Sequence, residues 1–212
     1  MTDIMDYKKE YKNLYLPKTE PSTIKVPEII FAAVEGKGNP NEPDGEYQAA
    51  VGVLYGIQYT IKMSKKGTSI PKDYFDYVVP PLEGLWWLDN ASDWPPKSKS
   101  KYCWISMIRL PEYVNKEVFK WACGEAAKKK KIDTGKAYLY KFSEGLCVQC
   151  MHTGPYDNEP KTLALMDDYL CRNNLIKDLS DKRRHHEIYL SDPRKTAPEK
   201  MKTVLRVPVR GK

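Results

Sequence analysis

The segment His185-His186-Glu187-Ile188-Tyr189-Leu190-Ser191-Asp192 sets a carboxylate two residues before a phenol. Its period-2 alternation is that of a strand, with His185, Glu187, Tyr189 and Ser191 on one face and His186, Ile188 and Leu190 on the other. The second set suits a face covered by helices. The first set then holds an acid and a phenol roughly 6.5–7 Å apart along the strand. A carboxylate in a strand is costly unless it is solvated or paired. Two readings stay open from the residues: a glutamate wetted on an exposed sheet face, or one kept for binding or proton transfer.

Aromatic surface is the second feature. Leu82-Glu83-Gly84-Leu85-Trp86-Trp87 and Trp94-Pro95-Pro96 put three tryptophans in a stretch read as a loop, and Trp104 stands on the next strand. Flat rings above a sheet suit planar, apolar or cationic ligands. The alternative is a tryptophan-rich minor core that holds the insertion down. The candidate ligand contacts are Trp86, Trp87 and Trp104, with Tyr77 from a strand over 75–80 and His185 from the Glu187 face.

Other chemistry is sparse. Cys147-Val148-Gln149-Cys150 reads as C-x-x-C, but no second ligand pair accompanies it, and on a strand these positions face opposite sides. Buried free thiols are the expectation. There is no G-x-S-x-G, no glycine-rich phosphate loop and no H-E-x-x-H. An enzyme built on this chain would work with a carboxylate and a phenol; no metal or organic cofactor is expected.

The elements that must position these residues form a repeat. A strand over 29–36 leads to a helix over 46–61 and strands over 75–80 and 101–111. In the second half, strands over 137–142 and 145–154 lead to a helix over 161–175 and strands over 185–190 and 203–208. Asn158-Glu159-Pro160 reproduces Asn41-Glu42-Pro43, and the 203–208 pattern reproduces Ser106-Met107-Ile108-Arg109-Leu110-Pro111. The two matches have unequal offsets, which places extra material in the first unit, around Glu83 to Lys101. The expectation is one domain over 1–212: a leader (1–27) outside the core, a first unit (28–111), a connecting helix (112–136) and a second unit (137–209). The fold class is α+β, with two pseudo-twofold-related strand–helix–strand–strand units forming a sheet, helices on one face and a ligand cleft on the other.

Composition fits that plan. The chain has 212 residues, 41% hydrophobic and 30% charged, enough for one sizeable core. No run approaches the ~18 apolar residues of a membrane span. The N-terminus lacks a signal pattern, and five cysteines suit a reducing compartment, so a cytoplasmic protein is expected. The net charge of +7 gathers in Lys128-Lys129-Lys130-Lys131, Lys182-Arg183-Arg184 and the C-terminal tail. Without a nucleic-acid-binding signature this is a solvated basic face, and no direct nucleic-acid binding is expected.

Leu82-Glu83-Gly84-Leu85-Trp86-Trp87, taken with the run from His186-Glu187-Ile188-Tyr189-Leu190-Ser191-Asp192-Pro193-Arg194 through Ala197-Pro198-Glu199-Lys200 to Thr203, resembles the GyrI-like small-molecule-binding family. The similarity runs from about Tyr7 to the C-terminus. It implies a pseudo-symmetric pair of units around a ligand cleft. Relatives serve as effector domains of multidrug-responsive regulators, where a buried glutamate at the position of Glu187 meets cationic aromatic ligands. No DNA-binding helices precede the similarity, so a stand-alone member is expected. Similar stand-alone members include hydrolases that open the cyclopropane ring of planar DNA-alkylating toxins. By that resemblance Glu187 would orient or deprotonate a water, and Tyr189 or Tyr55 would donate a hydrogen bond to the substrate carbonyl. Trp86, Trp87 and Trp104 would stack on the planar aromatic ligand. The alternative is a non-catalytic protein that binds or senses aromatic or cationic drugs, or inhibits a partner such as DNA gyrase. The oligomeric state is left open.

Overall fold

The computed structural model describes residues 4–67, 69–88 and 99–212. Two short helices, α1 (Tyr7–Glu10) and α2 (Lys12–Tyr15), precede the first unit, β1 (Ser22–Lys37), α3 (Glu46–Met63), β2 (Leu82–Leu88) and β3 (Tyr102–Arg109). Helix α4 (Lys116–Lys130) connects to the second unit, β4 (Ala137–Thr153), α5 (Glu159–Arg172), β5 (Leu175–Lys177), β6 (His185–Tyr189) and β7 (Lys202–Gly211). The strands run antiparallel in the order β4-β1-β3-β2-β6-β7, and β4 also pairs with β7. The sheet therefore closes on itself and is barrel-like. β5 extends it beside the end of β7.

The duplication shows directly in this topology. Each unit is strand–helix–strand–strand, and the trios β1-β3-β2 and β4-β7-β6 meet at the β2–β6 and β1–β4 junctions. Helical spacing puts Ala50, Leu54, Ile57 and Ile61 of α3 in the core. Met166 and Leu170 of α5 pack on Val148, Cys150, Leu205 and Val207. Helix α4 starts on Asn115, whose side chain accepts from Val118 N at 2.9 Å, and ends in lysines that suit the negative end of its dipole. No helix among the described residues is long and apolar enough to cross a membrane.

Several expectations are corrected. The leader is part of the core: Tyr7, Leu14 and Tyr15 are buried, and β1 begins at Ser22, inside it. Their apolar side chains are too widely spaced among polar neighbours to show a period. The strand over 75–80 reduces to a single bridge, Met5 to Tyr77. The stretch 82–88, read as a loop, is a strand between β3 and β6; its prolines precede the strand and leave its ladder intact. Residues 137–153 form one strand instead of two, with Gly145 taking a positive φ of 72° where the chain bends. Trp94 lies outside the described residues.

The interior of the barrel explains the other face of β6. His186 Nε2 lies 2.9 Å from Glu83 and its Nδ1 lies 3.0 Å from Glu144. Arg206 Nη1 lies 3.1 Å from Glu144, and the same guanidinium donates to Gln149 Oε1 and, at 2.6 Å, to the Leu14 carbonyl. Tyr15 donates to Glu83. All four ionisable groups, Glu83, Glu144, His186 and Arg206, are buried. Burial opposes the charge on His186, and Glu144 and Glu83 outweigh it, pushing its pKa up to about 9. Burial likewise opposes the charge on Glu144, and His186 and Arg206 outweigh it, pulling its pKa down to about 2. These contacts tie α2 to β2, β4, β6 and β7 inside the barrel.

Candidate functional site

Glu187 sits in the middle of a row that crosses the sheet. Ser106 of β3 is opposite Gly84 of β2, Gly84 is opposite Glu187 of β6, and Glu187 is opposite Leu205 of β7. Alternation sends His186 and Ile188 into the barrel and Glu187 outward, as a strand requires. Leu205 on that outer face packs under α5, and Tyr47 of α3 lies against Trp104 on it. Glu187 therefore lies on the same face of the sheet as the two helices, which corrects the expectation of a site on the face opposite them. The interior face is taken up by the charged network, with Leu14 and Tyr15 of α2 set against it.

Glu187 is 9% exposed. Its Oε2 accepts from the Tyr189 hydroxyl at 2.8 Å, and its Oε1 lies 3.2 Å from His185 Nε2. Tyr189 in turn accepts from the Trp86 indole Nε1 at 2.8 Å. With Trp86 filling an acceptor site, the phenol is directed to give its proton to Glu187. Burial and the Glu187 charge hold the Tyr189 phenol well above its ordinary pKa, so it stays a donor.

Aromatic rings surround this chain of contacts. Tyr47 lies 5.4 Å from Trp86 and meets Trp104 edge-on at 5.1 Å. Tyr102 meets Trp86 at 5.3 Å, and Tyr156 meets Tyr189 at 5.9 Å. Burial, then the Glu187 charge, pushes Tyr102 and Tyr156 up to about 12. Glu159, at the start of α5, is a second carboxyl group near Glu187. Burial and the Glu187 charge raise its pKa well above the carboxylate range, and its Oε1 finds no partner among the described residues. The site thus sets the Glu187 carboxyl group, fixed by a phenol, near a second carboxyl group whose pKa burial raises.

The structure brings together Glu187, Tyr189, His185, Trp86 and Trp104. Three other sequence candidates lie elsewhere. Trp87 turns to the opposite face of β2, where the Arg184 guanidinium lies 4.5 Å over it. Tyr77 is fully buried and donates to Gln58 of α3. Tyr55 stacks on Tyr59 at 6.3 Å and faces Asp192 and Arg194 at the rim. Tyr47, Tyr102, Tyr156 and Glu159 escaped the sequence reading. Two signals pointed to them: Tyr47 precedes Tyr55 by eight residues in helical phase, and Glu159 lies within the repeated Asn-Glu-Pro. Cys147 and Cys150 are buried free thiols in separate clusters, on opposite faces of β4.

The comparisons agree with this architecture. A solved structure described as a hydrolase from Listeria innocua is 48% identical, with a TM-score of 0.88, covering 97% of this chain and all of that one. A second, described as an uncharacterized conserved protein from Listeria innocua, is 48% identical with a TM-score of 0.91 over the same shares. The C-terminal domain of EcmrR shares the fold alone, at 12% identity and a TM-score of 0.54, covering 91% of this chain and 98% of that one. No curated protein matches the chain. The profile of the GyrI-like small molecule binding domain matches residues 19–210. With nearly its whole length matched, the chain belongs to the GyrI-like small-molecule-binding domain family.

Proposed function

We infer that this protein is a hydrolase that adds water to the cyclopropane ring of planar cyclopropanoid alkylating agents and so protects against genotoxins. The observation that carries the reading is Glu187, a nearly buried carboxylate fixed by Tyr189 inside a wall of aromatic rings. The hydrolase description of a 48% identical relative supports it. In this reading Glu187 takes a proton from water. The water oxygen bonds to the unsubstituted cyclopropane carbon, the strained carbon–carbon bond breaks, and its electron pair moves through the dienone to the carbonyl oxygen. That oxygen becomes a phenolate and takes the proton held by Glu159. A proton passing from Glu187 to Glu159 restores the site, and the net change is one water added. Trp86, Trp104 and Tyr47 supply the flat apolar wall that keeps bulk water out.

The test is incubation with a cyclopropane-fused dienone, followed by mass and absorbance. The expected product is heavier by one water. No gain above the uncatalysed rate would sink the reading. Unchanged ligand with quenched tryptophan fluorescence would establish a binding protein, the alternative that the family description favours.

A further inference from the structure

We propose that Gly84 is the positioning residue of this site: the missing side chain at position 84 lets the Trp86 indole lie across β2 and hold the Tyr189 hydroxyl on Glu187. Position 84 shares the outer face of β2 with Trp86 and stands directly opposite Glu187. A Cβ built on Gly84 would meet Trp86 Nε1 at 2.6 Å, Trp86 Cε2 at 3.2 Å and the Tyr189 hydroxyl oxygen at 3.1 Å. The first contact is shorter than real Cβ contacts allow, and the atom met is the donor of the Trp86–Tyr189 hydrogen bond. Nothing about the backbone demands glycine here, since its φ is not positive. The requirement is space.

That space has a chemical consequence. The indole N–H occupies an acceptor site of Tyr189, so the phenol hydrogen is left to Glu187 Oε2. A methyl group at 84 pushes the indole off the phenol. The Tyr189 hydroxyl is then no longer held from its acceptor side, and its hydrogen bond to Glu187 Oε2 loosens. Gly84 acts through Trp86 and Tyr189 and touches no substrate itself.

The kinetic part of this proposal rests on the hydrolase reading; the structural part does not. The experiment compares the parent, Gly84→Ala, Trp86→Leu and the double variant. The Trp86 indole N–H resonance in a ¹H–¹⁵N spectrum, assigned by its loss in Trp86→Leu, reports the hydrogen bond. Gly84→Ala is expected to move that resonance to the position of an unbonded indole and to lower kcat at least about tenfold, with KM changed less. In the Trp86→Leu background the same substitution is expected to change kcat less than about twofold, because the indole it displaces is gone and only the milder contact with the Tyr189 oxygen at 3.1 Å remains. If Gly84→Ala alone fails to fold, the double variant is expected to fold. An unmoved indole resonance, a loss that simply adds in the double variant, or a double variant that also fails to fold would overturn the proposal. If the parent adds no water at all, the hydrolase reading falls and the resonance still decides the role of Gly84.

Discussion

At the scale of single residues, Glu187 does not act alone. Tyr189 donates to it, Trp86 holds Tyr189, and Glu159 shares its electrostatic environment. Replacing Glu187 by Gln keeps its size and removes the proposed base, so turnover should drop ~10²–10⁴-fold with an unchanged circular dichroism spectrum. Glu159→Gln tests the proton donor. Because Glu159 is raised far above the carboxylate range, it holds its proton at neutral pH and loses it only in alkali. The rate should therefore fall on the alkaline side, and the Gln variant should be slow at all pH values and lack that alkaline fall. A variant that keeps both the rate and the alkaline limb would remove Glu159 from the chemistry. Alternation alone placed Glu187, Tyr189 and His185 on one face. It gave no hint of Glu159, because the approach of α5 to β6 is a tertiary contact between residues far apart in the chain.

At the scale of elements, β6 is a strand with two polar faces. Glu187 and Tyr189 look out to the helix-bearing face, while His186 looks in to Glu83 and Glu144. The interior network holds the strand that presents the site. Arg206→Met leaves Glu144 facing His186 without its second cation, and stability should fall by ~3–5 kcal/mol in urea unfolding. A loss under ~1 kcal/mol would show that the network contributes little. The long helices and the repeat were legible from periodicity, since their core faces recur at 3.6-residue spacing. The strand character of 82–88 was hidden because two tryptophans and a glycine beside prolines look like a loop, and only pairing with β3 and β6 makes them a central strand. Trp87 followed the same misreading: once 82–88 is a strand, Trp86 and Trp87 must face opposite sides. The leader's role was illegible, because Leu14 and Tyr15 find their partners in a ring of strands that local patterns do not reveal.

At the scale of the whole molecule, the buried charges set how stability depends on pH. His186 rises from 6.5 to about 9 on folding, so its contribution is complete below pH 6.5 and is lost as pH rises through about 9. Glu144 falls from 4.5 to about 2, so its contribution is complete above pH 4.5 and is lost as pH falls through about 2. Glu159, raised from 4.5 to about 10 mainly by burial, contributes fully below pH 4.5 and loses that contribution as pH rises from there towards about 10. The melting temperature should be highest near pH 4.5, and His186→Gln should flatten the decline between about 6.5 and 9. An unchanged slope in that variant would exclude His186 as the titrating group. The closed ring of strands, the helices on its outer face and the aromatic rings beside Glu187 together serve one proposed act, the addition of water to a strained ring. The most direct test of that claim is mass spectrometry of a planar cyclopropane-fused dienone after incubation with the intact chain and with Glu187→Gln. The account predicts a product heavier by one water with the parent and near-background conversion with the variant. No water added by the parent, or equal conversion by both, would contradict it.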